Sequence, residues 1–155
     1  MSQQILLAVA LQQWDAFTSH ALTAREVAVA LAKGCGAKLV VLSVYGYGKI
    51  KEPSLSPDMV ARYREDIMQR IDAQMETKLK AFLADVQGLE VPITPMVQAG
   101  EPRKTIVEVA ERLPADLLVI GAHSKRSVLD AMLGGTAAYL SRHAPCPVLM
   151  VTPRR

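Results

Sequence analysis

The chain reads as short apolar runs separated by segments with helical spacing. Ile5–Ala10 (ILLAVA) is continuously apolar, as a strand buried on both faces must be. After a loop over Leu11–Ser19, the segment Ala21–Ala32 has Leu22, Val27, Ala28 and Leu31 at helical spacing, and Gly34 and Gly36 mark its end. Lys38–Val44 (KLVVLSV) predicts a second buried strand, and Gly46–Pro57 a loop rich in Gly, Pro and Ser. Asp58–Val86 predicts one long helix. Its apolar row, Met59, Tyr63, Ile67, Ile71, Met75 and Leu79, steps by four residues. At about 100° per residue such a row drifts by about 40° per step, so it winds around the helix. One part is expected to face a sheet and another part something else, with the methionines filling core.

The second half continues the alternation. Glu90–Gln98 is extended, but Pro92 and Pro95 confine it to a strand start or a sheet edge. Gly100-Glu101-Pro102 opens a short helix with proline in its first turn, and Ile106, Val109 and Ala110 form its apolar face. Asp116–Ile120 (DLLVI) is a third clean buried strand, closed by Gly121. A polar loop follows, then a helix over Thr136–His143 and a last strand over Cys146–Thr152. Strands alternating with helices predict an α/β fold: an open, mostly parallel five-stranded sheet flanked by helices on both faces. Ligands of such sheets sit beyond the carboxyl ends of the strands, where the strand order reverses. The loops after Val9, Val44, Gln98 and Ile120 are therefore the ones to watch.

Composition narrows the class. The 155 residues are 50% hydrophobic and correspond to a single domain, 1–155, large enough for a core without staples. Mean hydropathy is +0.17, yet no apolar run approaches the roughly 18 residues of a membrane span. Met1-Ser2-Gln3-Gln4 lacks the positive region of a secretory leader, and a cytoplasmic location is expected. The net charge is +3 and aromatics make up 5%, too thin a footprint for nucleic-acid binding. Cys35 and Cys146 match no metal or redox spacing and are expected as reduced thiols.

Most catalytic signatures are missing. There is no GxxxxGK[ST] loop, GxSxG elbow or HExxH pair, and Gly46-Tyr47-Gly48 runs on to Lys51 instead of completing GxGxxG. His20, His123 and His143 stand apart in sequence. No nucleophile–base pair is visible, so an enzyme is not expected. Asp130 is the one loop carboxylate worth testing, and weak hydrolysis stays open.

The informative stretch is Gly121–Val151 (GAHSKRSVLDAMLGGTAAYLSRHAPCPVLMV). A strand closes at Gly121, where the missing Cβ leaves room for a ligand against the backbone. Lys125 and Arg126 follow, and Gly134-Gly135-Thr136 opens a helix whose free N–H groups favour an anion. Thr136 could cap that helix or donate to a phosphate oxygen. On these residues alone, a phosphate site and a structural turn with a threonine cap stand as alternatives.

This stretch resembles the universal stress protein (UspA) family, whose ATP binders carry G-x2-G-x9-G-[ST] before a helix and a HAPCPVLVV-like strand. The chain has Gly121, Ser124, Gly134 and Gly135 in that spacing, and ends in His143–Val151 (HAPCPVLMV). The Gly100–Pro102 turn and the Asp116–Gly121 strand also fit, so the resemblance spans essentially the whole chain. It departs in three places. Ser124 stands for the second glycine. Gly135 stands for the Ser/Thr, with Thr136 next to it. Ala8-Val9-Ala10 stands for an AVD pattern, so Ala10 replaces the acid near the adenosine. The loop after the first strand is longer than the family's and carries Trp14 and Asp15, the latter a candidate replacement acid.

The resemblance implies a Rossmann-like fold of the adenine nucleotide alpha hydrolase type and a stress-response module. It implies ATP or a related adenine nucleotide as cofactor, with magnesium left open. The implied binding residues are Ala8, Val9, Ala10, Val44, Gly121, His123, Ser124, Lys125, Gly134, Gly135, Thr136 and Ala137. It also implies a homodimer through the last strand, Val148, Leu149, Met150 and Val151. The alternative is a family member that binds no nucleotide and acts by protein–protein contact.

Overall fold

The computed structural model describes residues 3–10, 19–46, 56–121 and 136–153. Strands and helices alternate through them: β1 (Gln4–Ala8), α1 (Ser19–Cys35), β2 (Lys38–Tyr45), α2 (Pro57–Leu83), β3 (Ile93–Ala99), α3 (Pro102–Arg112), β4 (Leu117–Gly121), α4 (Thr136–His143) and β5 (Val148–Val151). The strands form one parallel sheet in the order β3-β2-β1-β4-β5. The expected elements are all present, with ends differing by a few residues.

The continuous apolar runs are explained by two covered faces. From β1, Ile5, Leu7 and Val9 join Ala21, Ala24 and Ala28 of α1 and Leu79, Phe82 and Leu83 of α2. Leu6 and Ala8 turn the other way, to Ile106, Val109 and Ala110 of α3 and Leu140 of α4. Leu6 and Leu7 are both fully buried, so each contributes on the order of 2 kcal/mol from opposite sides of one strand. The small residues along α1 let that helix lie close over β1 and β4.

Pro95 sits inside β3, and the sheet order shows why it is tolerated. β3 is an edge strand that pairs with β2 alone. The Gly100 amide donates to the Tyr45 carbonyl at 2.9 Å, so by alternation the even-numbered nitrogens face β2. Pro95 has its nitrogen on the open side, where no ladder bond is lost.

Helix α2 has 27 residues, roughly 40 Å of helix against a seven-residue partner strand. Its amino-terminal half therefore extends past the sheet. Met59 and Tyr63 are exposed, Ile67, Ile71 and Met75 are half-buried, and Leu79 is fully buried. The winding row thus passes from solvent into the core. At its lower end α2 is tied to α1 by Arg25, whose guanidinium donates to the Phe82 carbonyl and forms a two-pronged pair with Asp85 at 2.8 and 3.0 Å. The Arg25 side chain is 8% exposed while that of Asp85 is 69% exposed, so water solvates the acid and the arginine bears the desolvation cost.

No helix among the described residues is long and apolar enough to cross a membrane.

Candidate functional site

The strand order reverses at β1. The chain steps outward from β1 to β2 and β3, then crosses back to place β4 on the other flank of β1. In open parallel sheets a ligand crevice forms at such a reversal, which here falls beyond the carboxyl ends of β1 and β4. In register, Ala8 lies opposite Leu42 on one side and Ile120 on the other. Val9 is held in line by its amide, which donates to the Leu42 carbonyl at 2.9 Å.

Several of the expected binding residues gather along this carboxyl edge. Ala8 and Val9 are buried at the end of β1, and Ala10 beyond them is exposed. Val44 is half-buried near the end of β2, and Gly121 ends β4. Thr136 is the exposed first residue of α4, and Ala137 packs under the helix against the α3-side core. His123, Ser124, Lys125, Gly134 and Gly135 lie outside the described residues, as do Trp14, Asp15, Arg126 and Asp130.

Two glycines at this edge carry structural weight. A Cβ on Gly121 would meet the His20 carbonyl oxygen at 2.8 Å, at the amino end of α1. The room that glycine provides there is filled by α1 backbone, which sets how closely this helix approaches the strand end. Gly100 has φ +153°, and a Cβ there would run into the Thr105 Oγ1. That turn delivers the chain from β3 into α3.

Glu101 then caps α3. Its carboxylate accepts from the Lys104 amide at 2.9 Å and from Arg103 Nε at 3.0 Å. The backbone amide of Lys104, followed by the Arg103 side chain, holds the Glu101 carboxyl below the usual carboxylate range. The Arg103 guanidinium lies 5.5 Å from the centroid of the Tyr139 ring, which sits 4.3 Å from that of His143. The start of α3 is thereby joined to α4.

The lowered Glu101 pKa means that the folded state favours the charged carboxylate. Its stabilisation is complete above the ordinary carboxylate range and is lost as pH falls through the depressed value. The side chain is 43% exposed, so solvent screens the effect. Glu101→Gln is expected to cost about 0.5–1 kcal/mol at neutral pH and less as acid protonates the carboxylate, by urea unfolding at neutral and acidic pH. An equal cost at both pH values would contradict this role.

Three features of this region were not legible in the sequence. One is the Glu101 cap, since glutamate is not a favoured capping residue; its signal was its place before Pro102 with Lys104 three residues on. Another is buried Arg25, since an arginine within a helical segment carries no local sign of burial. The third is Tyr45, whose hydroxyl donates to Asp72 Oδ1 of α2 at 2.6 Å across 27 residues of sequence. Nothing local announces such a contact.

Among the described residues, no group of three or more His, Cys, Asp or Glu side chains is gathered as a metal site requires. Both cysteines are free; burial, then the nearby Asp116 charge, pushes the Cys146 thiol up.

The comparison with protein families decides what this fold belongs to. The model of the universal stress protein family matches residues 1–152. The chain belongs to the universal stress protein family. A universal stress protein of Thermus aquaticus, described from the QAH/OAS sulfhydrylase 3′ region, is 29% identical over 136 residues, covering 86% of this chain and 91% of that one. Universal stress protein G of Shigella flexneri is 32% identical over 92 residues, which span 59% of this chain and 61% of that protein. Among solved structures, a universal stress protein family protein of Arabidopsis thaliana with AMP bound has a TM-score of 0.69 at 20% identity, covering 98% of this chain and 92% of that one. A universal stress protein in complex with cAMP gives 0.65 at 20% identity, covering 99% and 100%. One from Archaeoglobus fulgidus in complex with dAMP gives 0.62 at 19%, covering 96% and 96%. At these identities the structures establish the universal stress fold: an open parallel sheet between two helical layers.

Proposed function

We propose that this chain is a stress-response module that binds an adenine nucleotide at the carboxyl edge of its sheet. The observation that carries the reading is the reversal of strand order at β1, which puts Ala8, Val9 and Ala10 between the ends of β2 and β4. AMP, cAMP and dAMP in three structural neighbours supply the ligand class. Val44 would line the adenine side. Ser124, Lys125, Gly134, Gly135 and Thr136 would hold phosphate, with Gly121 contributing only its main chain and with His123 and Ala137 beside them. ATP, as the longer member of the class, would place its outer phosphates toward Lys125. The module works by binding, in the cytoplasm, and not by turnover.

Titration calorimetry with AMP and with ATP tests this. One site per chain with a dissociation constant below about 1 mM is expected, with a matching rise in melting temperature. No heat and no thermal shift at about 1 mM of either nucleotide would overturn it.

A second reading has its own observation. β5 is the other edge of the sheet, and Met150 is 45% exposed on it while Val151 is buried. An apolar strand edge invites pairing. A homodimer through Val148, Leu149, Met150 and Val151 would cover it, and Ala10 in place of an acid favours a member that acts by contact. Sedimentation at micromolar concentration is expected to show a dimer; a monomer there contradicts this reading.

A further inference from the structure

We infer that Tyr45 and Asp72 form a positioning pair that holds the end of β2 in place for the ligand, an inference that rests on the nucleotide reading above. Tyr45 is the last residue of β2 and follows Val44, the residue assigned to the adenine side. It is anchored in two directions. Its backbone carbonyl accepts the Gly100 amide at 2.9 Å, which joins the end of β2 to the turn entering α3. Its phenol crosses to α2, where the hydroxyl donates to Asp72 Oδ1 at 2.6 Å and lies 3.4 Å from the Met68 carbonyl oxygen.

The short bond to a carboxylate is the stronger of the two hydroxyl contacts, because a charged acceptor strengthens and shortens a hydrogen bond. Tyr45 and Asp72 are both partly buried, so water competes less for either group than at an open surface. Alternation along the strand points Tyr45 to the α2 side and Val44 to the α3 side, where Val44 packs against the core. The phenol therefore restrains the backbone on one face, and a ligand would meet the uncovered part of half-buried Val44 on the other. β2 ends at Tyr45, so the pair holds the strand at its carboxyl end.

Tyr45 does not touch the proposed ligand in this account. It acts by reducing the motion of the Val44–Gly46 backbone, which a bound base would otherwise have to immobilise itself. Losing the hydroxyl should therefore weaken binding and loosen the Gly100 amide together. Asn at position 72 keeps an oxygen that can accept from the phenol, whereas Leu does not.

The test compares the full chain with Tyr45→Phe, Asp72→Asn and Asp72→Leu. AMP affinity is read by calorimetry, and exchange of the Gly46 and Gly100 amides is read by NMR without nucleotide. Tyr45→Phe and Asp72→Leu are expected to weaken AMP binding by roughly fivefold to tenfold and to speed exchange at Gly100. Asp72→Asn should remain within about twofold of the parent in both, a rescue that generic loss of stability would not produce. Unchanged Gly100 exchange in Tyr45→Phe overturns the inference, as does unchanged AMP affinity in a parent that binds. If the parent binds no AMP, the nucleotide reading fails, and the exchange measurement still decides whether the pair holds the strand end.

Discussion

Gly100→Ala is expected to lower the unfolding free energy by about 4 kcal/mol. Two costs coincide at this position. The backbone at φ +153° lies where an L side chain is strained, on the order of 1–3 kcal/mol. The new methyl would also overlap the Thr105 Oγ1, and Thr105 is only 8% exposed, with little room to retreat. Overpacking of that kind costs about 1–3 kcal/mol more. Urea unfolding measures the sum, and the two parts separate in a Thr105→Ala background. There the steric part should vanish while the backbone part remains, so Gly100→Ala should cost about half as much. A change below about 1 kcal/mol in the native background would show that the turn relaxes freely, and the close β3–α3 connection described above would be wrong.

Gly121→Ala carries the second large effect, by a different route. Its backbone is unstrained, but the added methyl meets the carbonyl of His20, a main-chain atom of α1 that cannot swing aside. Relief requires a shift of α1 away from the end of β4. Ala21, Ala24 and Ala28 are packed on the sheet with at most 3% exposure, so moving the helix opens gaps along its length. A loss of about 2–3 kcal/mol is expected, and Gly121→Val should lose more. Thermal or urea unfolding would measure it. If alanine is tolerated within about 0.5 kcal/mol, the helix is not seated as closely as the structure indicates.

These two glycines also show what a sequence reveals and what it conceals. Both were visible as punctuation: Gly100 before Glu101-Pro102, and Gly121 after an apolar run. The strands were legible for the same reason, since a strand buried on both faces is apolar at every position, as ILLAVA and DLLVI are. Pro95 marked an edge correctly, because a missing donor can be placed only where no partner waits. The reasons for the glycines were less accessible. Gly121 looked like room for a ligand, yet the room is filled by α1 backbone from a hundred positions earlier in the chain. Contacts of that range depend on how the layers settle, and no local pattern encodes them. Arg25 and Tyr45 follow the same logic. A helix arginine and a strand-end tyrosine are each ordinary until α2 folds across and supplies Phe82, Asp85 and Asp72.

The site divides similarly. Ala8, Val9, Ala10, Val44 and Gly121 could be placed because strand ends follow from strand runs, and parallel order brings the ends to one edge. Ala10 stands, exposed, where the sequence resemblance leads one to expect an acid. A nucleotide held here would depend more on backbone amides and on Lys125 than on a carboxylate for the ribose.

Amide shift mapping by NMR tests the central claim most directly, with AMP titrated into the full chain. The account predicts that the largest changes fall at Ala8–Ala10, Val44–Gly46 and Gly121, all on the carboxyl edge of the sheet. Changes centred instead on the opposite edge, around Gln4, Lys38 and Leu117, or no changes at saturating AMP, would contradict it.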